Sequence, residues 1–140
     1  MTINLKNFLS DKNKMSKIGE FQNLKQIEGL EMSSVSADLY GNGRDDLTLF
    51  YFSKGANYAT VTTSSSIVSE TIMWNESSHK KLIKALMVNT KNANTFTGKQ
   101  GKESLDIIAK NLSRILTLKE SKSDKGTSET VKIKDLIFAS

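Results

Sequence analysis

The stretch Ala85-Leu86-Met87-Val88-Asn89-Thr90-Lys91-Asn92-Ala93-Asn94-Thr95-Phe96-Thr97-Gly98-Lys99-Gln100-Gly101 decides the fold of this chain. Its apolar run, which begins at Leu82, is almost continuous and predicts a strand covered on both faces. The run ends abruptly in a loop rich in Asn, Thr and Gly. Beyond the loop, apolar residues recur at three- and four-residue spacing and predict a long helix that packs on a sheet: Leu105, Ile108, Ala109, Leu112, Ile115 and Leu116.

Shorter segments on either side of this unit complete the predicted sheet. β-type runs separated by Gly and Asn predict strands over residues 21–27, 32–40, 47–52, 58–63 and 131–140. Residues 41–44 and 54–57 are predicted to be turns, because Gly and Asn accept a positive φ at low cost. Residues 64–74 fit a strand or a helix equally well, and Trp74 is predicted to be a core or edge anchor. Residues 120–129 are predicted to form a charged loop.

The composition restricts the chemistry that the chain can perform. Its 140 residues fit one domain. Neither an apolar run of about 18 residues nor a secretory signal is readable, so we expect a cytoplasmic protein without membrane partners. The chain has no cysteine, and its one histidine, His79, lies in a polar stretch that predicts a surface position. Disulfides, thiolate metal sites and cysteine nucleophiles are excluded. Any chemistry must therefore use hydroxyls, amides, carboxylates or lysines.

The positive charge of the chain does not by itself predict a nucleic-acid site. The formal net charge is +5, and the only two arginines are Arg44 and Arg114. The lysines alternate with Asp and Glu instead of clustering, and few aromatic side chains are available to stack on bases. We therefore expect a solvated charged face and no nucleic-acid partner.

The loop after the apolar run is the one candidate site. A polar loop between a strand and a helix places backbone N–H groups where α/β proteins often bind ligands. It is not a phosphate loop, because Phe96 stands where that motif requires Gly and Glu103 stands where it requires Ser or Thr. On residues alone, a structural turn and a site for carboxylate or amide groups are equally open.

Residues 89–101 resemble the Asn-Ser-Gly-Asn-Ala-Asn-Ala-Cys-Thr-Gly-x-Gln-Gly motif of the bifunctional ornithine acetyltransferase/N-acetylglutamate synthase family, also called ArgJ. Three further segments are similar to strands of that family: residues 46–49 to Asp-Leu-Ala-Leu, residues 59–63 to Ala-Gly-Val-Phe-Thr, and residues 136–140 to the strand before Ser-Thr-Gly-Val-Ile-Gly. The resemblance runs from about residue 21 to residue 140. The chain departs from the pattern at Thr60, Thr90, Lys91, Thr95 and Phe96.

The resemblance implies an α/β (α+β) fold, namely the N-terminal portion of a DmpA/ArgJ-like layered α/β/β/α sandwich. Such a portion contains a mixed sheet and at least one long packed helix. We expect an N-terminal helical segment over residues 1–20 and a partial ArgJ-like domain over residues 21–140 that is incomplete at its C-terminus.

The resemblance also implies acetyl transfer from N-acetylornithine, and from acetyl-CoA in bifunctional members, to glutamate in arginine biosynthesis. The family's threonine nucleophile and oxyanion-hole Thr-Gly fall beyond Ser140, so this chain alone is expected to be inactive, with no catalytic residue, cofactor or metal ligand. Its expected partners are the small-molecule substrates and the remaining C-terminal part, or β chain, in a hetero-oligomer of processed chains. We expect Asn92, Asn94, Thr97 and Gly98 to support the substrate pocket. The alternatives are a small basic RNA- or protein-binding module and a non-catalytic relative that binds an amino acid.

Overall fold

The structure, a computed structural model, describes residues 26–39, 41, 43–77, 82–91, 93–95, 97–123 and 130–140. The predicted helical segment 1–20 and His79 lie outside the described residues. So does most of the predicted strand 21–27, and its last two residues are not in a strand. No helix in the described part of the chain is both long and apolar enough to cross a membrane.

The described residues form a mixed sheet and two helices, as expected for an α+β fold. The elements in chain order are β1 (Leu30–Val35), β2 (Leu47–Ala56), α1 (Glu70–Ser77), β3 (Ile83–Asn89), α2 (Gly98–Ser123), a 3-10 turn (Ile133–Asp135) and β4 (Leu136–Ala139). The strands lie in the order β1-β2-β3-β4. The first three strands pair antiparallel, and β4 pairs parallel with β3. The mixed sheet is therefore confirmed.

The core lies between one face of the sheet and α2. Tyr51, Ala85 and Leu136 are paired across β2, β3 and β4, so their side chains point to the same face. Leu105, Ala109 and Leu116 of α2 are buried against them, and this spacing of four and seven residues is the helical periodicity read from the sequence. The predicted packed helix is confirmed, and it is longer than predicted, but two residues of its predicted apolar stripe, Ile108 and Ile115, are exposed and do not belong to the core.

Helix α1 covers the outer edge of β4. The Asn75 side chain donates to the Phe138 carbonyl over 2.7 Å and accepts from the Phe138 N–H over 3.0 Å. The Trp74 indole N–H donates to the Leu136 carbonyl over 3.0 Å, and its ring meets the Phe138 ring edge-on. These bonds satisfy backbone groups that an edge strand would otherwise expose. The ambiguous stretch 64–74 therefore ends in a helix, and the prediction of Trp74 as an anchor is confirmed.

Three predicted boundaries near β1 and β2 are wrong. Strand β1 ends at Val35 and not at residue 40, because the next backbone N–H groups bond to the Asp46 carboxylate instead of a neighbouring strand. Residues 54–57 are not a turn: β2 continues to Ala56 and is irregular between Tyr51 and Ala56, with Gly55 at φ 75°. Residues 41–44 do lie in a hairpin connection, but it spans residues 36–46.

Three further predictions are wrong in part or whole. Residues 58–63 are not in a strand, and Val61 is fully exposed, because no described segment pairs with them. The predicted loop 120–129 begins too early, since α2 continues to Ser123. Strand β3 is covered on both faces only over its first three residues, and its remaining residues are half-buried.

Candidate functional site

The loop after β3 is anchored to the sheet through Asp46. The Asp46 carboxylate accepts from the backbone N–H groups of Ala37 and Leu39, each over 2.6 Å, and the residue is only 2% exposed. Its backbone carbonyl accepts from the Thr90 N–H over 2.9 Å, directly after β3 ends. One buried aspartate therefore joins the β1–β2 connection to the start of the loop and fixes where the loop leaves the sheet.

Two non-glycine residues of the loop have a left-handed backbone. Lys91 has φ 78° and Asn94 has φ 38°. Asn tolerates this conformation better than other side chains, whereas for Lys it costs about 1 kcal/mol or more of conformational free energy. Lys91 stands where the resembled motif has Gly, so the motif's glycine corresponds to a real backbone requirement. The turn in this chain therefore carries strain that a glycine would relieve.

Asn94, Thr97 and Gly101 pack together where the loop enters α2. The Thr97 hydroxyl donates to Asn94 Oδ1 over 2.6 Å, and the Gly101 N–H donates to the Thr97 carbonyl over 3.3 Å. A Cβ at Gly101 would lie 1.9 Å from Thr97 Oγ1 and 2.7 Å from Asn94 Oδ1. Only glycine fits at this buried position of the helix while the two side chains stay in place. We call Asn94, Thr97 and Gly101 the loop lock.

An open cleft of about 410 Å³ lies beside the loop lock. The Asn94 carbonyl accepts from the Glu70 N–H over 3.2 Å and so holds the start of α1 against the loop. The cleft lies between the segment before α1, α1 itself and the first residue of α2, and its lining residues are Ser66, Ile67, Val68, Glu70, Met73 and Gly98.

The structure brings together three of the four residues predicted to support a pocket. Asn94 and Thr97 belong to the loop lock, Gly98 lines the cleft, and Asn92 lies outside the described residues. Because the Thr97 hydroxyl and the Asn94 amide oxygen bond to each other, their first contribution is to the shape of the loop. Their support of a substrate pocket stays a prediction.

Sequence reasoning missed the other wall of the cleft. Residues 66–68, Glu70 and Met73 come from the stretch whose pattern fitted a strand and a helix equally well. No spacing in that stretch points to a ligand.

A second polar cluster lies at the far end of β3 and has a structural role. Lys84 Nζ donates to the Ser53 carbonyl over 2.8 Å, where β2 is irregular, and lies 3.4 Å from Glu120 Oε1. The same carboxylate oxygen accepts from the Tyr51 hydroxyl. The Lys84 and Glu120 side chains are 10% and 15% exposed. This cluster ties the end of α2 to the sheet.

The described residues contain no group of three or more His, Cys, Asp and Glu side chains close enough together to hold a metal ion.

Comparison with known proteins gives the same family throughout. The model of the ArgJ family matches residues 31–130. The arginine biosynthesis bifunctional protein ArgJ of Zymomonas mobilis is 36% identical over 86 residues, which are 61% of this chain and 21% of that protein. The Bartonella quintana protein of the same name is 30% identical over 101 residues, which are 71% of this chain and 24% of that protein. The chain thus spans less than a quarter of the length of these relatives.

Two solved structures share the fold. Ornithine acetyltransferase from Mycobacterium tuberculosis, solved with ornithine, superposes on this chain with a TM-score of 0.65 at 20% sequence identity. The superposed part is 81% of this chain and 56% of the acetyltransferase chain. ArgJ from Bacillus halodurans superposes on this chain with a TM-score of 0.58 at 16% sequence identity. The superposed part is 80% of this chain and 53% of the Bacillus halodurans chain. The ArgJ family model matches well over half of the chain, residues 31–130, and the chain therefore belongs to the ArgJ family.

Proposed function

We propose that these 140 residues are the N-terminal part of a glutamate N-acetyltransferase, which moves an acetyl group from N-acetylornithine to glutamate in arginine biosynthesis. The observation that carries the proposal is the family match over residues 31–130, which includes the loop and α2. Family membership supports the acetyltransferase class. The substrates follow from the resemblance and from the relatives' names.

The loop lock supports this proposal because it gives a physical reason for the spacing of the motif. Asn94 and Thr97 are three residues apart, and Gly101 follows Thr97 by one helical turn, so all three meet at the start of α2. In the proposed enzyme, this part of the loop is a wall of the substrate pocket. It keeps the cleft in shape and contributes no reacting group.

The face of the sheet opposite α2 supports the proposed layered architecture. Met32, Phe50, Leu86 and Ile137 are paired across all four strands, so they form one apolar row on the face opposite α2. Met32 at one end of the row is 50% exposed, Phe50 and Leu86 are half-buried, and Ile137 at the other end is buried, so the row is open mainly at its β1 end. We propose that the second sheet of the α/β/β/α sandwich packs on this row. The relatives are long enough to supply that sheet, since this chain matches less than a quarter of their length.

The reaction that we propose needs groups that this chain does not supply. A threonine hydroxyl, activated by its own α-amino group, takes the acetyl group from N-acetylornithine and releases ornithine. The acetyl-threonine ester then passes the acetyl group to the glutamate amine, and the hydroxyl is regenerated. Backbone and hydroxyl donors stabilise the tetrahedral oxyanion in both steps. We place the threonine and these donors in the remainder of the enzyme, with acetyl-CoA as an alternative donor.

An activity assay of the isolated chain tests whether the reacting groups lie outside these 140 residues. Incubated with N-acetylornithine and glutamate, it should produce no N-acetylglutamate and no ornithine detectable by mass spectrometry. Turnover by the purified chain would place the nucleophile within these residues and contradict the proposal. In parallel, a gel-shift titration with RNA at low salt should give no shift. A salt-dependent shift would favour a basic RNA-binding module instead.

A further inference from the structure

The carboxyl ends of β3 and β4 lie side by side at one edge of the sheet. The two strands are parallel, and Val88 is paired with Ala139, so Asn89 and Ser140, which follow them, are level with one another. Neighbouring strands are about 4.8 Å apart. The chain therefore leaves β4 beside the point where β3 passes into the loop. In α/β units, ligands bind at this edge, beyond the carboxyl ends of parallel strands.

Helix α1 is bonded to both segments that meet at this edge. At its first residue, the Glu70 N–H donates to the Asn94 carbonyl of the loop over 3.2 Å. Further along the helix, the Asn75 side-chain amide holds Phe138 of β4. The two attachment points are about 7.5 Å apart along the helix axis, at a rise of about 1.5 Å per residue. One short helix therefore connects the loop to the last part of β4.

Asn75 holds β4 in the way that a neighbouring strand would. Its amide nitrogen donates to the Phe138 carbonyl over 2.7 Å, and its Oδ1 accepts from the Phe138 N–H over 3.0 Å. Two bonds to one residue fix both the position and the orientation of the backbone there, as ladder pairing does. Phe138 is buried and Asn75 is half-buried, so water competes little for these bonds. Because Phe138 lies two positions before Ser140, Asn75 fixes the direction in which the chain leaves the sheet.

We propose that Asn75 is a positioning residue of the acetyltransferase. It fixes the carboxyl end of β4, and with it the residues that follow β4 in the enzyme, against the loop that contains Asn94 and Thr97. Those following residues form a second wall of the substrate site, opposite the loop. Asn75 itself touches no substrate and acts only through the backbone of β4. This inference rests on the proposed function, because it gives α1 a role in the site of that enzyme.

The neighbouring contact of Trp74 provides a matched comparison. Its indole N–H donates to the Leu136 carbonyl over 3.0 Å. Leu136 is the first residue of β4 and lies at the opposite end of the strand from the site. Trp74→Phe and Asn75→Ala therefore both remove hydrogen bonds between α1 and β4, but at opposite ends of the strand. A purely structural role for α1 predicts similar effects of the two changes, whereas a positioning role predicts that only Asn75→Ala affects the site.

Amide hydrogen exchange of the full 140-residue chain, followed by NMR, tests whether α1 couples the two segments. In Asn75→Ala, exchange should accelerate at least about tenfold at both Phe138 and Glu70 relative to Ala109, a fully buried residue of α2 that reports global unfolding. Glu70 is the informative position, because its N–H bonds to the loop at the other end of α1. Acceleration confined to Phe138 would show that Asn75 has only a local role and would overturn the proposal.

Steady-state kinetics of acetyl transfer then test the role at the substrate site. Residues 31–140 of this chain replace the corresponding segment of the Zymomonas mobilis relative, and the formation of N-acetylglutamate is followed. Asn75→Ala should raise the KM for N-acetylornithine at least about fivefold, whereas Trp74→Phe should leave it within about twofold. A smaller folded fraction lowers the maximal rate but leaves KM unchanged, so KM separates positioning from stability. Asn75→Gln, which keeps the amide but moves it by one methylene group, should also raise KM and serves if Asn75→Ala does not fold.

The kinetic outcomes separate this inference from the proposed function. If the unsubstituted chimera folds but forms no N-acetylglutamate, the proposed function fails and the positioning role fails with it. If the chimera is active and the Asn75 variants change KM no more than Trp74→Phe does, the proposed function stands and only the positioning role is overturned.

Discussion

Replacing Gly101 with alanine should destabilise the protein, although the same change inside most helices stabilises them. Alanine is favoured over glycine in a helix interior by about 1 kcal/mol. Here the new methyl carbon would lie 1.9 Å from Thr97 Oγ1 and 2.6 Å from Thr97 Cβ. Because such atoms rarely approach closer than about 3.5 Å, Thr97 must move by more than 1 Å and lose its hydrogen bond to Asn94. Overpacking costs about 1–3 kcal/mol and the lost hydrogen bond about 1 kcal/mol. The expected net loss is about 1–3 kcal/mol.

Urea unfolding followed by the fluorescence of the single tryptophan, Trp74, measures this loss. The midpoint should fall by about 1 M in Gly101→Ala. Ser104→Ala, an exposed change on the same helix, should raise the midpoint slightly. In the double variant with Thr97→Gly, part of the loss should disappear, with a coupling energy of about 1–2 kcal/mol. An ordinary stabilisation by Gly101→Ala, or additive effects in the double variant, would refute the loop lock.

Three further changes test other parts of the structure by the same unfolding assay. Asn75→Ala should cost about 1–3 kcal/mol, because it leaves the Phe138 N–H and carbonyl at the edge of β4 without side-chain partners. Lys91→Gly should be more stable than Lys91→Ala by about 1 kcal/mol, because both remove the side chain but only glycine relieves φ 78°. Glu120→Gln should cost about 1–3 kcal/mol, because Lys84 then keeps its charge in a part-buried place without a carboxylate.

Matched controls separate these effects from general sensitivity. Asn111→Ala removes an exposed asparagine on α2 and should change stability by a few tenths of a kcal/mol. Glu103→Gln breaks a solvent-exposed ion pair with Lys99 and should matter as little. If Asn75→Ala lowers the free energy of unfolding no more than Asn111→Ala does, the Asn75 contact is not stabilising. The same holds for Glu120→Gln compared with Glu103→Gln. Equal stability of Lys91→Gly and Lys91→Ala would show that the positive φ at residue 91 does not strain the backbone.

Local patterns predicted the parts of the fold whose periodicity is strong. The helical spacing from Leu105 to Leu116 placed α2 on the sheet, and the apolar run before Asn89 placed β3. Residues 58–63 show where this reasoning fails. A β-branched run predicts a strand only if another strand pairs with it, and the sequence of the run carries no information about that partner. Strand β1 ended early for a different reason, since side-chain bonds from Asp46 to the backbone of Ala37 and Leu39 replaced ladder pairing.

The candidate site was predictable only on its loop side. Asn94, Thr97 and Gly98 belong to a motif that can be recognised in the sequence, whereas the opposite wall of the cleft depends on how α1 packs. The role of Gly101 required coordinates, because a glycine within a helical pattern usually signals only lower helix propensity. The contact between this glycine and Thr97 explains why the motif contains both.

The most direct test of the central claim is an activity measurement on a chimera. Residues 31–130 of this chain replace the aligned segment of the Zymomonas mobilis relative, and the formation of N-acetylglutamate from N-acetylornithine and glutamate is followed by mass spectrometry. If the segment is an acetyltransferase part, the chimera should retain acetyl transfer, and Gly101→Ala in the chimera should reduce it. A chimera that folds, as judged by its unfolding transition, but transfers no acetyl group would contradict the proposed function.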